Sequence, residues 1–151
     1  MSHQTFRSEK MQTALAEVRN VYVDLAQRPI ERNCLRKTEY CHFKLTGRTP
    51  YLTKGEALLA AKTFRGTGRT SLPENPTGAC PMLHPATGDC LIYEARPFGC
   101  RTHFCSAAGG PIARRDVIAL IRRLEHVDLA LNGNGPRILQ NAVAEALEEL
   151  R

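Results

Sequence analysis

Apolar residues recur through residues 6–27 at steps of four, three, four and three: Met11, Leu15, Val18, Tyr22 and Leu25. That spacing keeps one face of a helix apolar and predicts an N-terminal helix, which Pro29 stops. Residues 30–52 show no sustained period. A second helix is predicted after Thr53, because Thr53-Lys54-Gly55-Glu56 fits a capping box. In such a box the threonine hydroxyl accepts from the third backbone amide and the glutamate reaches back to the cap. This helix carries Ala57, Leu58, Ala60, Ala61 and Phe64 and ends near Gly66.

Residues 66–79 are rich in Gly, Thr, Pro and Asn and read as loop. Cys90-Leu91-Ile92-Tyr93 is the best strand candidate, and Pro97 suits the first turn of a short helix over 97–104. Ala107 to Pro111 reads as a hinge. From Ile112 a long helix is expected, with Val117, Leu120, Leu124, Val127 and Leu131 on one face and Gly133 as its C-cap. A last helix carries Leu139, Val143, Ala146 and Leu150, so residues 111–151 read as an antiparallel helical hairpin. The expected fold class is mostly α. It is one small helical domain over residues 1–151, with an irregular cysteine-rich middle and at most a short strand or hairpin.

The chemistry lies in that middle. All six cysteines fall within residues 34–105: Cys34, Cys41, Cys80, Cys90, Cys100 and Cys105. At 151 residues the chain can build an ordinary core, so a metal is not required merely because the protein is small. Met1 to Ser8 is polar, without the apolar stretch of a signal peptide. No apolar run approaches the ~20 residues that span a bilayer, so no membrane contact is expected. A cytoplasmic location follows as the expectation, and there thiols stay reduced. Reduced, clustered thiols point to metal binding before disulfides. A structural zinc site takes four tetrahedral ligands, and iron–sulfur clusters take four cysteine thiolates. On one continuous helix Cys34 and Cys41 would lie roughly 10 Å apart along the axis, so serving one ion requires that segment to loop back. Neither a thioredoxin-type C-x-x-C nor the paired C-x-x-C of a zinc ribbon occurs. Spacing alone therefore leaves the metal open.

The residues say more than the spacing. The string Cys80-Pro-x-Leu-x6-Cys90-x-Ile-Tyr-x-x-Arg96-Pro97-x-x-Cys100-Arg101-x-His-x-Cys105 closely resembles the C-terminal half of a bacterial cysteine-cluster family. That family is described as zinc- or iron-chelating and is named for an N-terminal C-x-x-C-x-x-C-C motif. The stretch from Thr46 to Glu56 also looks like the family's link from that motif into a helix, and the resemblance covers about residues 34–105. It implies metal chelation and little about any reaction. The family carries eight cysteines and this chain six. Only Cys34 and Cys41 match the first motif, with Lys37 and Tyr40 where the inner pair would be. His42 stands beside Cys41 as an incidental residue or a substitute nitrogen ligand.

The expected metal ligands are thus Cys34, Cys41, Cys80, Cys90, Cys100 and Cys105, led by the last four, with zinc or iron (or an iron–sulfur cluster) as the cofactor. Arg96 and Arg101 flank Cys100 and are expected to donate to sulfur and offset thiolate charge; the plainer reading is surface arginine. Tyr93 reads as a packing residue, and His103 as a packing residue before a ligand. His84 and His126 look incidental, and Asp89 and Glu94 solvated or ion-paired.

Charge changes the picture least. The formal net charge is +6, and 16 of the 21 basic residues are arginines. An anionic partner such as nucleic acid is one reading, but Arg114-Arg115 and Arg122-Arg123 are the only adjacent arginines, and solvated helix faces account for the rest. No nucleophile–base pair and no Gly-rich phosphate loop is visible. The leading expectation is a metal-binding protein of unassigned role. The alternatives are an iron–sulfur redox or accessory enzyme component, and a zinc-stabilised module that binds nucleic acid or protein.

Overall fold

A computed structural model of the chain describes residues 3–28, 49–74, 78–102 and 112–151. Its described part is mostly helical, with five α-helices and one two-stranded antiparallel ladder. The helices are α1 (His3–Ala26), α2 (Lys54–Arg65), α3 (Phe98–Thr102), α4 (Arg114–Ala130) and α5 (Leu139–Glu149).

The stripe expected on α1 faces the core. Leu15, Val18, Tyr22 and Leu25 are buried with Ala14 and Val21, while Met11 is partly covered. The centre of the molecule is α2, in which every residue from Gly55 to Ala61 is buried, together with Phe64. Helix α5 packs on one side of it, α1 and α4 on others, and a 3-10 turn at Tyr93–Ala95 closes against it. Small residues make this enclosure feasible. A Cβ on Gly55 would lie 2.7 Å from Val127 Cγ1 and 2.9 Å from Val18 Cγ2, so glycine marks the point where α1, α2 and α4 come closest.

Helix α4 buries Val117, Leu120, Leu124 and Val127, as its period predicts. Its end differs from expectation. Asn132, not Gly133, takes the left-handed backbone, with φ of 59°. The Gly133 N–H reaches the Asp128 carbonyl at 2.8 Å and the Asn132 N–H reaches Leu129 at 3.0 Å, the bond pair of a Schellman motif. Glycine at 133 serves close approach instead: a Cβ there would sit 2.4 Å from Asp128 Oδ1.

The expected C-terminal hairpin is also revised. Helix α5 packs mainly against α2, and α4 mainly against α1. The reason is the connection between them. Residues Arg137–Ile138 form β2, which pairs with β1 at Tyr51–Leu52 in the register Tyr51 to Ile138 and Leu52 to Arg137. The Leu139 N–H then donates to the Pro50 carbonyl at 3.0 Å. This short ladder carries the chain across to α2 before α5 begins.

The expected strand at Cys90 to Tyr93 reduces to one bridge between Leu83 and Cys90, followed by the 3-10 turn. The short helix predicted from Pro97 is α3, starting at Phe98. No helix among the described residues is long and apolar enough to cross a membrane.

Candidate metal centre

Three of the expected ligands, Cys80, Cys90 and Cys100, lie on residues 78–102. The other three, Cys34, Cys41 and Cys105, lie outside the described residues, as do His42 and His103. The 78–102 segment has little regular structure but is firmly seated. Met82, Ile92, Ala95 and Phe98 are buried in the main core, and Cys80 is buried with them. A loop at its tip is closed by bonds from Leu83 N–H to the Cys80 carbonyl, His84 N–H to Asp89, and Leu91 N–H to Met82, at 3.1, 2.7 and 2.8 Å.

Cys80, Cys90 and Cys100 carry thiols, with no disulfide among the three. Burial pushes the Cys90 thiol up, against the opposing pull of the Ile92 N–H and the Arg96 charge. The Cys100 side chain is close enough to Arg101 and Tyr22 to bias the titration of both.

The two arginines act differently from the expectation of direct bonds to sulfur. Arg96 Nε donates to the Tyr93 carbonyl at 2.9 Å, and its guanidinium lies 3.9 Å from the centre of the Tyr93 ring. Arg101 donates from Nε to the Arg96 carbonyl and from Nη2 to the Glu94 carbonyl, each at 2.6 Å. Its guanidinium stacks 4.1 Å from the centre of the Tyr22 ring. These bonds tie the segment to itself and to α1, and they leave one fixed positive charge beside Cys90 and another beside Cys100. Burial pulls the Arg101 pKa down, yet the guanidinium stays charged at any neutral pH.

The sequence predicts only a capping role for Glu56. The capping box is present, and Glu56 Oε2 accepts both the Thr53 N–H and the Thr53 hydroxyl at 3.0 Å. The other oxygen does more. Oε1 accepts the Tyr22 hydroxyl at 3.0 Å and the Phe98 N–H at 2.7 Å, joining α1, α2 and the start of α3 at one carboxylate that is 2% exposed. Burial pushes the Glu56 carboxyl up, while its bonds from Phe98, Thr53 and Tyr22 pull it back. Burial and the neighbouring Glu56 likewise raise Tyr22 well above the ordinary phenol.

The remaining candidates take bland roles. His84 Nδ1 accepts the N–H of Ala86 at 3.0 Å and of Thr87 at 3.3 Å, fixing a turn. Asp89, Glu94 and His126 are exposed.

The donor chemistry of the described segment suits a thiolate-binding metal, but it does not complete a site. Among the described residues no three His, Cys, Asp or Glu side chains are gathered as a metal-holding group. Cys80, Cys90 and Cys100 are therefore not brought together as one group, and the other three expected ligands lie outside the described residues. Comparisons with family models, curated proteins and solved structures return no match.

Proposed function

We propose that this protein chelates zinc or iron through its clustered cysteines. Cys80, Cys90 and Cys100 contribute from the described segment, and Cys34, Cys41 and Cys105 from the two flanking stretches. The observation that carries the reading is the seating of three non-disulfide thiols on one irregular segment, with Arg96 beside Cys90 and Arg101 beside Cys100. Metal-bound thiolates are anionic, and fixed guanidinium charges offset that cost. The likeness of the string from Cys80 to Cys105 to the cysteine-cluster family supports the same chemistry.

When bound, such an ion cross-links the segments that supply its thiolates, and an iron–sulfur cluster would add one-electron chemistry. The chain's own residues hold and orient the donors. A cytoplasmic setting, where thiols stay reduced, fits this use of cysteine.

The test is purification without oxygen, followed by a visible spectrum and metal quantification. Stoichiometric zinc in a colourless protein, or iron with a charge-transfer band near about 400 nm, supports the reading. Cys100→Ser should then lose the metal. A wild-type protein that takes up neither metal, or a Cys100→Ser variant with undiminished content, refutes it.

A further inference from the structure

We propose that Glu56 is a positioning residue for the cysteine-bearing segment: its Oε1, accepting from both Phe98 and Tyr22, anchors the turn that presents Cys100. The Cys100 thiol is thereby set from the helical core. The consequence for metal affinity rests on the metal-binding reading above; the anchoring itself does not.

A cap requires one carboxylate oxygen, and Oε2 meets that need alone through Thr53. Oε1 reaches residues 34 and 42 positions away in the chain, inside the core, where solvent cannot share the task. Phe98 opens α3, so its N–H has no partner within the helix and needs an acceptor when buried. Within α3 the next turn is drawn tight, since the N–H groups of Cys100 and Arg101 both return to the Pro97 carbonyl at 3.0 and 3.1 Å. Holding Phe98 therefore holds Cys100. Tyr22 closes the circuit from the other side: its hydroxyl meets Glu56 while its ring carries the Arg101 guanidinium. Glu56, Tyr22 and Arg101 thus form one continuous set of contacts, from the N-terminus of α2 to the residue next to Cys100.

The experiment uses the full chain and three variants: Glu56→Gln, Tyr22→Phe, and Val143→Ala as a core control on α5. Two quantities are measured at a temperature where circular dichroism shows each variant folded. One is the rate of Cys100 alkylation in metal-stripped protein, mapped by mass spectrometry. The other is zinc affinity by competition with a chromophoric chelator. Glu56→Gln should speed Cys100 alkylation about tenfold, as expected when an amide replaces one acceptor oxygen and leaves a buried donor without its partner. It should weaken zinc binding by about ten- to a hundredfold, the usual effect of losing an outer support of a metal ligand. Tyr22→Phe, which keeps the ring under Arg101, should shift both in the same direction by less. Val143→Ala should lower the melting temperature and move neither.

Unchanged Cys100 alkylation in folded Glu56→Gln overturns the proposal, and so does an equal shift in Val143→Ala. If Glu56→Gln does not fold, Tyr22→Phe decides on the same criteria. If the wild type binds no zinc while Cys100 alkylation still responds to Glu56, the anchoring stands and the metal-binding reading falls. If zinc binds the wild type and all variants alike and alkylation is also unmoved, that reading stands and the anchoring falls.

Discussion

The carboxylate of Asp128, near the end of α4, accepts the backbone N–H of Lys54, the first residue of α2, at 2.8 Å across 74 residues of sequence. Its second oxygen accepts the Gly135 N–H at 2.9 Å. One side chain, 3% exposed, thus caps the central helix and fixes the turn that leads to β2. Asp128→Asn keeps the shape but can accept at only one atom, which turns its amide toward a backbone N–H. The expected loss is about 1–3 kcal/mol in urea unfolding. Gly133→Ala, whose new methyl would displace the same carboxylate, should cost a comparable amount. A neutral result for both removes this role for Asp128.

Gly55→Ala should destabilise the protein by about 1–3 kcal/mol, because its methyl meets two β-branched valines that have little rotamer freedom. Helix propensity alone favours alanine by about 1 kcal/mol, so the sign of the measured change decides which effect wins. A double-mutant cycle with Val127→Ala should recover part of the loss. Additivity of the two changes would show that the close approach is relaxed elsewhere.

Glu56 has a pH signature of defined sign. Its carboxyl is raised on folding, with burial the largest cause. A group raised on folding contributes stability that is fully present below its unfolded pKa and is lost as pH climbs through the folded value. The stability of wild type relative to Glu56→Gln should therefore be greatest in acid and decline toward neutrality, in urea titrations from about pH 4 to about pH 8. A gap that widens with rising pH would contradict the assignment.

Arg123 joins α4 to α1 by bonding Glu17 from Nε at 2.7 Å and Asp24 from Nη1. The three side chains are between 36% and 45% exposed, so the network is screened by water despite its good geometry. Arg123→Ala should cost at most about 1 kcal/mol, shrinking in about 1 M salt. Arg123→Lys should not restore it, since one ammonium cannot fork to two carboxylates. A salt-independent loss would point to packing of the arginine stem.

If the cysteines hold zinc or iron, chelation should leave the far-ultraviolet helical signal nearly intact. Helices α1, α2, α4 and α5 supply most of the core, and among the described residues Cys80 is the one candidate ligand buried in it. Loss of metal should instead speed proteolysis within residues 78–102. Collapse of the helical signal on chelation would show that the ion organises the whole fold, as in a zinc finger.

Periodicity was enough to place the long helices, because an apolar residue every three or four positions has few other solutions. The Thr53–Glu56 box gave the start of α2 for a similarly local reason. Periodicity says that a face is apolar but not what covers it, so α5 was expected on α4 and is found on α2. A two-residue ladder such as Tyr51–Leu52 with Arg137–Ile138 is too short to leave a pattern. The β-prone run at Cys90 to Tyr93 lost to its surroundings: one bridge to Leu83 satisfies Cys90, and the chain must then turn to bring Pro97 and Phe98 under Glu56. Asp128 gave one faint signal, an acidic residue among the apolar positions of α4, just ahead of Asn132-Gly133-Asn134-Gly135. The second oxygen of Glu56 gave none, since its partners are distant in sequence. Of the expected ligands, Cys80, Cys90 and Cys100 share the segment 78–102 but are not gathered there as a metal-holding group, and Cys34, Cys41 and Cys105 lie outside the described residues.

Helix α2 has almost no outside. Of its residues, only Lys62 and Arg65 are exposed. Natural variants of this chain should therefore drift freely along alternating faces of its other long helices, while residues 55–61 change only with compensating partners. Laboratory recombination that swaps segments between related chains should keep this stretch together with its neighbours from α1, α4 and α5, or yield unfolded offspring.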